Sequence, residues 1–241
     1  MRVLVMADIH GNLEALRAVL DHARQMGGFG RVWCMGDVVG YGPDPGPCVD
    51  MVEELSSTCV AGNHDWAAVG KVDTRDFNPH AAAAIAWTDA QLTPGQREYL
   101  SSLPLTLQEE GATLVHGSLR DPIWEYLVDT GAARATFDLC QTPLCLVGHS
   151  HMPFVCTQGE GFRRVRGEGD GVALGPARLI LNPGSVGQPR DGDPRASYML
   201  LDIVAQAAYH YRVAYAIGET QGKMERAGLP RPLIDRLSQG W

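Results

Sequence analysis

The alternation of two periods over the first sixty residues constrains this chain more than any other feature. Val3–Ala7 is an apolar run of strand length, and Leu13, Leu16, Val19 and Leu20 then recur at helical spacing. Val32–Met35 is a second apolar run. After the turn-rich Gly40-Tyr41-Gly42-Pro43-Asp44-Pro45, the residues Val49, Val52 and Leu55 predict a second helix, and Thr58–Ala61 a third strand. Strands separated by helices do not pair as hairpins, so this order predicts a parallel sheet covered by helices.

The middle of the chain predicts helices at Pro79–Leu92, capped by Asn78, and at Pro94–Leu103. Strands follow at Leu105–Gln108 and Ala112–Val115, then a helix at Ala132–Leu139 and a strand at Leu144–Val147. From Phe154 onward, short runs alternate with Gly- and Pro-rich turns. Phe154–Thr157, Arg163–Arg166, Val172–Leu174, Arg178–Leu181, Ser197–Ile203 and Ala208–Tyr215 predict a largely antiparallel second sheet. The segment from Gly218 to the end predicts helix broken at Pro230 and Pro232. No repeat or low-complexity linker interrupts residues 1–241, so one domain with a helical tail from about residue 217 is expected.

Composition narrows the function. A formal net charge of −8 argues against general affinity for nucleic-acid backbone or anionic membrane. No apolar run reaches the roughly 18 residues of a membrane span. The stretch Met1–Asp8 is too short and too soon charged for a signal peptide, so a cytoplasmic location is expected. Of the six cysteines, Cys34 and Cys59 sit in strand-like runs and read as reduced core residues. No C-x-x-C pair occurs, so a thiolate zinc site is not expected.

Five motifs carry the chemistry. Asp8-Ile9-His10, Gly36-Asp37 and Gly62-Asn63-His64-Asp65 follow the first three predicted strands. His116-Gly117-Ser118 follows the strand ending at Val115, and Gly148-His149-Ser150-His151 the strand ending at Val147. Sites in open α/β sheets are built at that carboxyl edge. Any one motif alone is compatible with an ordinary turn or a structural histidine; the five together point to one site. Carboxylate, amide oxygen and imidazole are hard or borderline ligands, suited to manganese, iron, cobalt, nickel or zinc. Arg190, Arg120 and Tyr41 are candidates for substrate binding. Trp66, Trp87 and Trp124 read as core, His80 and His210 as structural or surface residues, and Tyr209, Tyr211, Val213 and Tyr215 as one face of a strand.

The ordered set Asp-x-His, Gly-Asp, Gly-Asn-His-Asp, His and Gly-His-x-His resembles the calcineurin-like metallophosphoesterase superfamily, and Asn182–Arg190 resembles its small bacterial members. The resemblance implies a four-layer α/β/β/α sandwich with two mixed central sheets. The coarse reading agrees, with a parallel-rich first sheet and an antiparallel-rich second. It implies two divalent metal ions, manganese foremost: Asp8, His10 and His151 around one, Asn63, His116 and His149 around the other, and Asp37 bridging through its two oxygens. His64 would be the general acid rather than a ligand, with Asp65 orienting its ring. The expected substrate is a small phosphate ester, nucleotide-like, cleaved as a diester or monoester by a hydroxide attacking phosphorus in line. Alternatives are a dinucleoside polyphosphate, a phosphoprotein, or no reaction at all in a metal-binding scaffold. Where protein phosphatases carry an arginine-glycine element after Gly-Asp, this chain has Val38-Val39-Gly40-Tyr41-Gly42. The complete ligand set together with His64 argues against the scaffold. A mononuclear zinc site leaves Asp37 and Asn63 unexplained.

Overall fold

The computed structural model describes residues 1–55 and 58–241. The chain opens with β1 (Arg2–Met6), α1 (Leu13–Gln25), β2 (Arg31–Cys34), α2 (Pro45–Glu54), β3 (Thr58–Cys59) and α3 (Asn63–Ala68). Next come α4 (Pro79–Gln91), α5 (Pro94–Ser102), β4 (Thr106–Glu109), β5 (Ala112–Val115), α6 (Thr130–Leu139) and β6 (Leu144–Leu146). The last third holds β7 (Phe154–Thr157), β8 (Gly161–Arg164), β9 (Glu168–Ala173), β10 (Leu179–Asn182), β11 (Ala196–Asp202), β12 (Ala207–Val213), α7 (Ile217–Arg226) and α8 (Arg231–Asp235). No helix among the described residues is long and apolar enough to cross a membrane.

Two six-stranded mixed sheets form, in the orders β3-β2-β1-β11-β12-β9 and β4-β5-β6-β10-β7-β8. The four-layer sandwich follows from the strand period. Val3 and Val5 of β1 point into the core between the sheets, with Trp33, Leu114, Leu146 and Leu181. Leu4 and Met6 point the other way, against Leu16, Val19 and Leu20 of α1. On the far side, Cys145 and Ile180 of the second sheet meet Ala133 and Phe137 of α6. Helix α1 starts where Asn12 turns its side-chain oxygen to the N–H of Ala15 at 3.1 Å. Truncating fully buried Leu16 to alanine is expected to cost about 2–5 kcal/mol.

Two expectations need correction. The sheets do not divide into a parallel-rich and an antiparallel-rich one. Strands β11, β12 and β9 extend the parallel β1–β2–β3 set antiparallel, and β10 joins β6 in parallel while pairing β7 antiparallel. The late strands are shared between both sheets because each sheet has an apolar face to complete. After β3, Asn63 opens the short helix α3. Pro232 lies in the first turn of α8 instead of breaking a helix, where its missing N–H has no partner to lose. All six cysteines are buried free thiols.

Candidate metal centre

The five motifs meet at one edge of the sandwich because the loops after β1, β2 and β3 are laced together. The Asp8 N–H donates to Gly36 O at 3.0 Å and the His10 N–H to Asp37 O at 2.9 Å. Close approach demands glycine at two positions. A Cβ on Gly62 would lie 2.0 Å from Asp37 Oδ1, and one on Gly187 would lie 1.8 Å from Ile9 O. Asp8, His10, Asp37, Tyr41, His149 and His151 all have φ between 51° and 63°. L-residues pay about 1 kcal/mol or more to sit there, and such strain persists where the surroundings over-determine it.

Four histidines form two facing pairs. His10 Nε2 and His151 Nε2 are 3.1 Å apart, as are His116 Nε2 and His149 Nδ1. The other ring nitrogens each reach a main-chain carbonyl: Val39 O at 3.0 Å, Gln188 O at 2.6 Å, Met35 O at 2.6 Å and Trp124 O at 3.2 Å for His10, His151, His116 and His149 in turn. A neutral imidazole that donates outward turns a lone pair inward. Asp37 Oδ2 stands between the pairs, 3.6 Å from His10 Nε2 and 3.3 Å from His116 Nε2. Asp8 Oδ1 is 3.6 Å from His151 Nε2. Asp8, His10, Asp37 and His151 form one group able to hold a metal ion, and Asp37, His116 and His149 a second. Asp8 Oδ2, Asp37 Oδ2 and Asn63 Oδ1 are buried without a hydrogen-bond partner. Buried oxygens without donors, opposed lone pairs and left-handed backbone all fit cations. Asp37 differs from expectation in one respect: Oδ1 accepts the His64 N–H at 2.9 Å, so a single oxygen, Oδ2, faces both groups.

The titration directions favour a neutral ring at three of the four histidines. Burial drives His10 and His151 well below the ordinary imidazole value and His149 to about 3, which keeps these rings neutral. Burial also lowers His116, but the Asp37 and Asp8 carboxylates outweigh it and raise it to about 9. Burial lifts Asp8 to about 7, with Asp37 adding to the rise. Burial opposes ionisation of Asp37 too, yet His116 and His64 hold it below the usual carboxylate range.

The remaining candidates separate. His64 is buried within the site, its ring centroid 4.8 Å from that of His10 and 4.4 Å from that of Tyr41. Asp65 does not orient that ring. Its carboxylate accepts the main-chain N–H groups of Asp37 at 2.8 Å, Val39 at 3.1 Å and Gly62 at 3.0 Å, while His64 Nδ1 has no partner. Arg190 and Tyr41 stand at the mouth, Arg190 Nη2 3.4 Å from Tyr41 Oη. Arg120 is not there: it pairs with Glu125 on an exposed loop. Asn182–Arg190 backs the centre, with Ser185 Oγ donating to Asp8 O at 2.8 Å and Asn182 Nδ2 to Gly148 O at 2.8 Å. Trp124 is not core; it is half-buried beside Phe77, ring centroids 5.0 Å apart. Tyr126, missed in the sequence, stacks on His149 at 4.1 Å. Neither ring belongs to a periodic apolar run, so no local signal marked it. His210 is fully buried, not on the surface, and its Nε2 bonds Asn182 O at 3.0 Å.

Two mixed sheets carrying Asp/His clusters at their edge define a metallophosphoesterase. The model of the calcineurin-like phosphoesterase superfamily domain matches residues 1–206, and the chain belongs to that family. It is a phosphoric ester hydrolase. Among its relatives, a solved metallophosphoesterase from Sphaerobacter thermophilus has a TM-score of 0.92 at 44% identity, covering 100% of this chain and 99% of that one. The uncharacterized protein MJ0912 of Methanocaldococcus jannaschii is 38% identical over 99% of this chain and 98% of its own. The phosphodiesterase YfcE of Escherichia coli K12 is 27% identical over 84% of this chain and 88% of its own.

Proposed function

We propose that this protein hydrolyses small, nucleotide-like phosphodiesters with two divalent cations, manganese by preference. Asp8, His10 and His151 would hold one ion and Asn63, His116 and His149 the other, with Asp37 serving both. The carrying observation is the pair of facing imidazole couples, each 3.1 Å apart with its outer nitrogens tied to carbonyls. At His10 and His151, where both rings are held neutral, the opposed lone pairs repel unless a cation lies between them. When bound, the cations supply Lewis acidity toward the phosphoryl oxygens and an activated water.

The protein's own residues do the rest. Arg190 presents donors at the mouth, where they meet phosphoryl oxygens. His64 supplies an N–H to the leaving oxygen as negative charge grows there. Burial, together with the charges of Arg190 and His116, holds its pKa at about 4 against Asp37, so the resting ring is neutral. The phosphate's own charge works in the opposite direction and draws a proton to it. Likeness to a phosphodiesterase over most of the chain supports the diester preference.

The test is metal analysis and a hydrolysis panel on wild type and Asp37→Asn. Wild type should bind two ions and turn over bis-p-nitrophenyl phosphate faster than p-nitrophenyl phosphate, with cyclic nucleotides and dinucleoside polyphosphates as comparators. Asp37→Asn should lose both ions and all turnover. One ion per chain, or cleavage of the monoester alone, refutes the proposal.

A further inference from the structure

The loop between β5 and α6 brings aromatic rings to the metal centre, and it is braced from within. The Gly117 N–H donates to Pro122 O at 2.6 Å and the Trp124 N–H to Asp121 Oδ1 at 3.3 Å. Ser118 Oγ and Arg120 both donate to the Glu125 carboxylate, Arg120 Nε at 3.2 Å. The loop is also tied to the centre, because Trp124 O accepts from His149 Nε2 at 3.2 Å. A loop held in this way presents its side chains in defined positions.

Tyr126 is the ring that this bracing places. It stacks on His149 with centroids 4.1 Å apart and planes inclined by 17°. One face of the ring is thereby covered, yet the residue is 49% exposed, so its other face is open to solvent. Trp124 and Phe77, both half-buried, carry the aromatic surface onward with centroids 5.0 Å apart. Phe77 meets His64 at 5.0 Å, and His64 meets Tyr41 at 4.4 Å. The rings therefore form an unbroken series from Trp124 to Tyr41, where the Arg190 guanidinium lies 5.7 Å from the ring. A single exposed tyrosine is ordinary on a protein surface. One laid flat on a residue of the metal centre, by a loop bonded to that same residue, is a platform with a set position. A second ring stacked on the free face would sit about 4.5 Å beyond Tyr126, roughly 8–9 Å from the His149 ring. A ribose bridges such a gap between a base and a 5′-phosphate at the centre.

We propose that Tyr126 is a stacking platform for the base of a nucleotide substrate, with Trp124 and Phe77 completing the aromatic surface beside it. The protein thereby prefers phosphate esters whose alcohol carries a flat aromatic ring over those of a bare sugar. This rests on the hydrolase reading above and names the part of the substrate that the metal centre does not read.

The test compares adenosine 5′-monophosphate with ribose 5-phosphate as competitors of bis-p-nitrophenyl phosphate at fixed free manganese. They share the sugar phosphate and differ by the base. In wild type the nucleotide should bind about 10-fold more tightly, the scale of one base–aromatic stack. Tyr126→Ala should bring the ratio close to one, and Tyr126→Phe, which keeps the ring, should retain it. Tyr126→Leu still covers His149 but offers no flat face; it should lose most of the ratio, and it replaces Tyr126→Ala if that variant does not fold. Reading the ratio within each variant removes any change in basal rate. A wild-type ratio near one overturns the platform. So does equal weakening of both competitors by Tyr126→Ala, a full ratio in Tyr126→Leu, or a ratio near one in Tyr126→Phe. If wild type cleaves no ester, the hydrolase reading fails by itself. Equilibrium dialysis of the two compounds against manganese-loaded wild type and Tyr126→Leu then decides the platform by the same ratio.

Discussion

His10 and His151 face each other across 3.1 Å, each with its Nδ1 bound to a main-chain carbonyl. Without a cation between them, the folded state holds two opposed lone pairs beside buried, donor-free carboxylate oxygens. Metal bound to the folded state alone stabilises it by mass action, about 2.7 kcal/mol at a hundredfold excess over Kd. For a chain of this length that is roughly 5–10 °C in Tm. Calorimetric scans with EDTA and with added manganese should differ by that amount. Coincident melts would contradict a cation between these rings.

His64 packs beside the two groups but belongs to neither. His64→Ala should therefore retain near-normal metal content while kcat falls about 100-fold. Metal analysis by plasma spectrometry alongside steady-state kinetics separates the two effects. Loss of an ion from the variant would make His64 a ligand.

Asp65 joins the loops after β2 and β3 by accepting three main-chain N–H groups. Asp65→Ala strands three buried donors, at about 1 kcal/mol or more each. The expected result is a loss of about 3 kcal/mol or more in urea unfolding, with weaker metal binding because Asp37 is carried by one of those bonds. A variant of normal stability that is impaired only in kcat would restore the role of orienting His64.

Acid should weaken the fold through His210. Burial holds its pKa at about 4, against an ordinary 6.5, despite the bond to Asn182 O. Between those values the unfolded chain binds a proton that the folded chain does not, so stability falls as pH drops from 6.5 toward 4. The contribution is on the order of 3 kcal/mol over that window. His210→Gln, which keeps a donor for Asn182 O, should flatten this part of the stability–pH curve measured by urea titration. An unchanged slope would place the acid sensitivity in other groups.

The strand–helix alternation and the five motifs at strand ends were legible along the chain, because both are local. Period is set by neighbouring residues, and a glycine beside a polar residue after an apolar run marks a sharp exit from a strand. The positions of Asp8, His10, Asp37, Asn63, His116, His149 and His151 were legible for that reason. Tertiary structure decided what depends on separation in the chain. It assigned β9, β11 and β12 to the first sheet and β7, β8 and β10 to the second, a pairing of distant edges that no local pattern encodes. It turned Asp65 to the main chain and Arg120 to Glu125, since either polar side chain had several partners within reach and only packing chose between them. It also carried Leu237 from the end of the chain into one apolar cluster with Tyr41, and that proximity is invisible along the sequence.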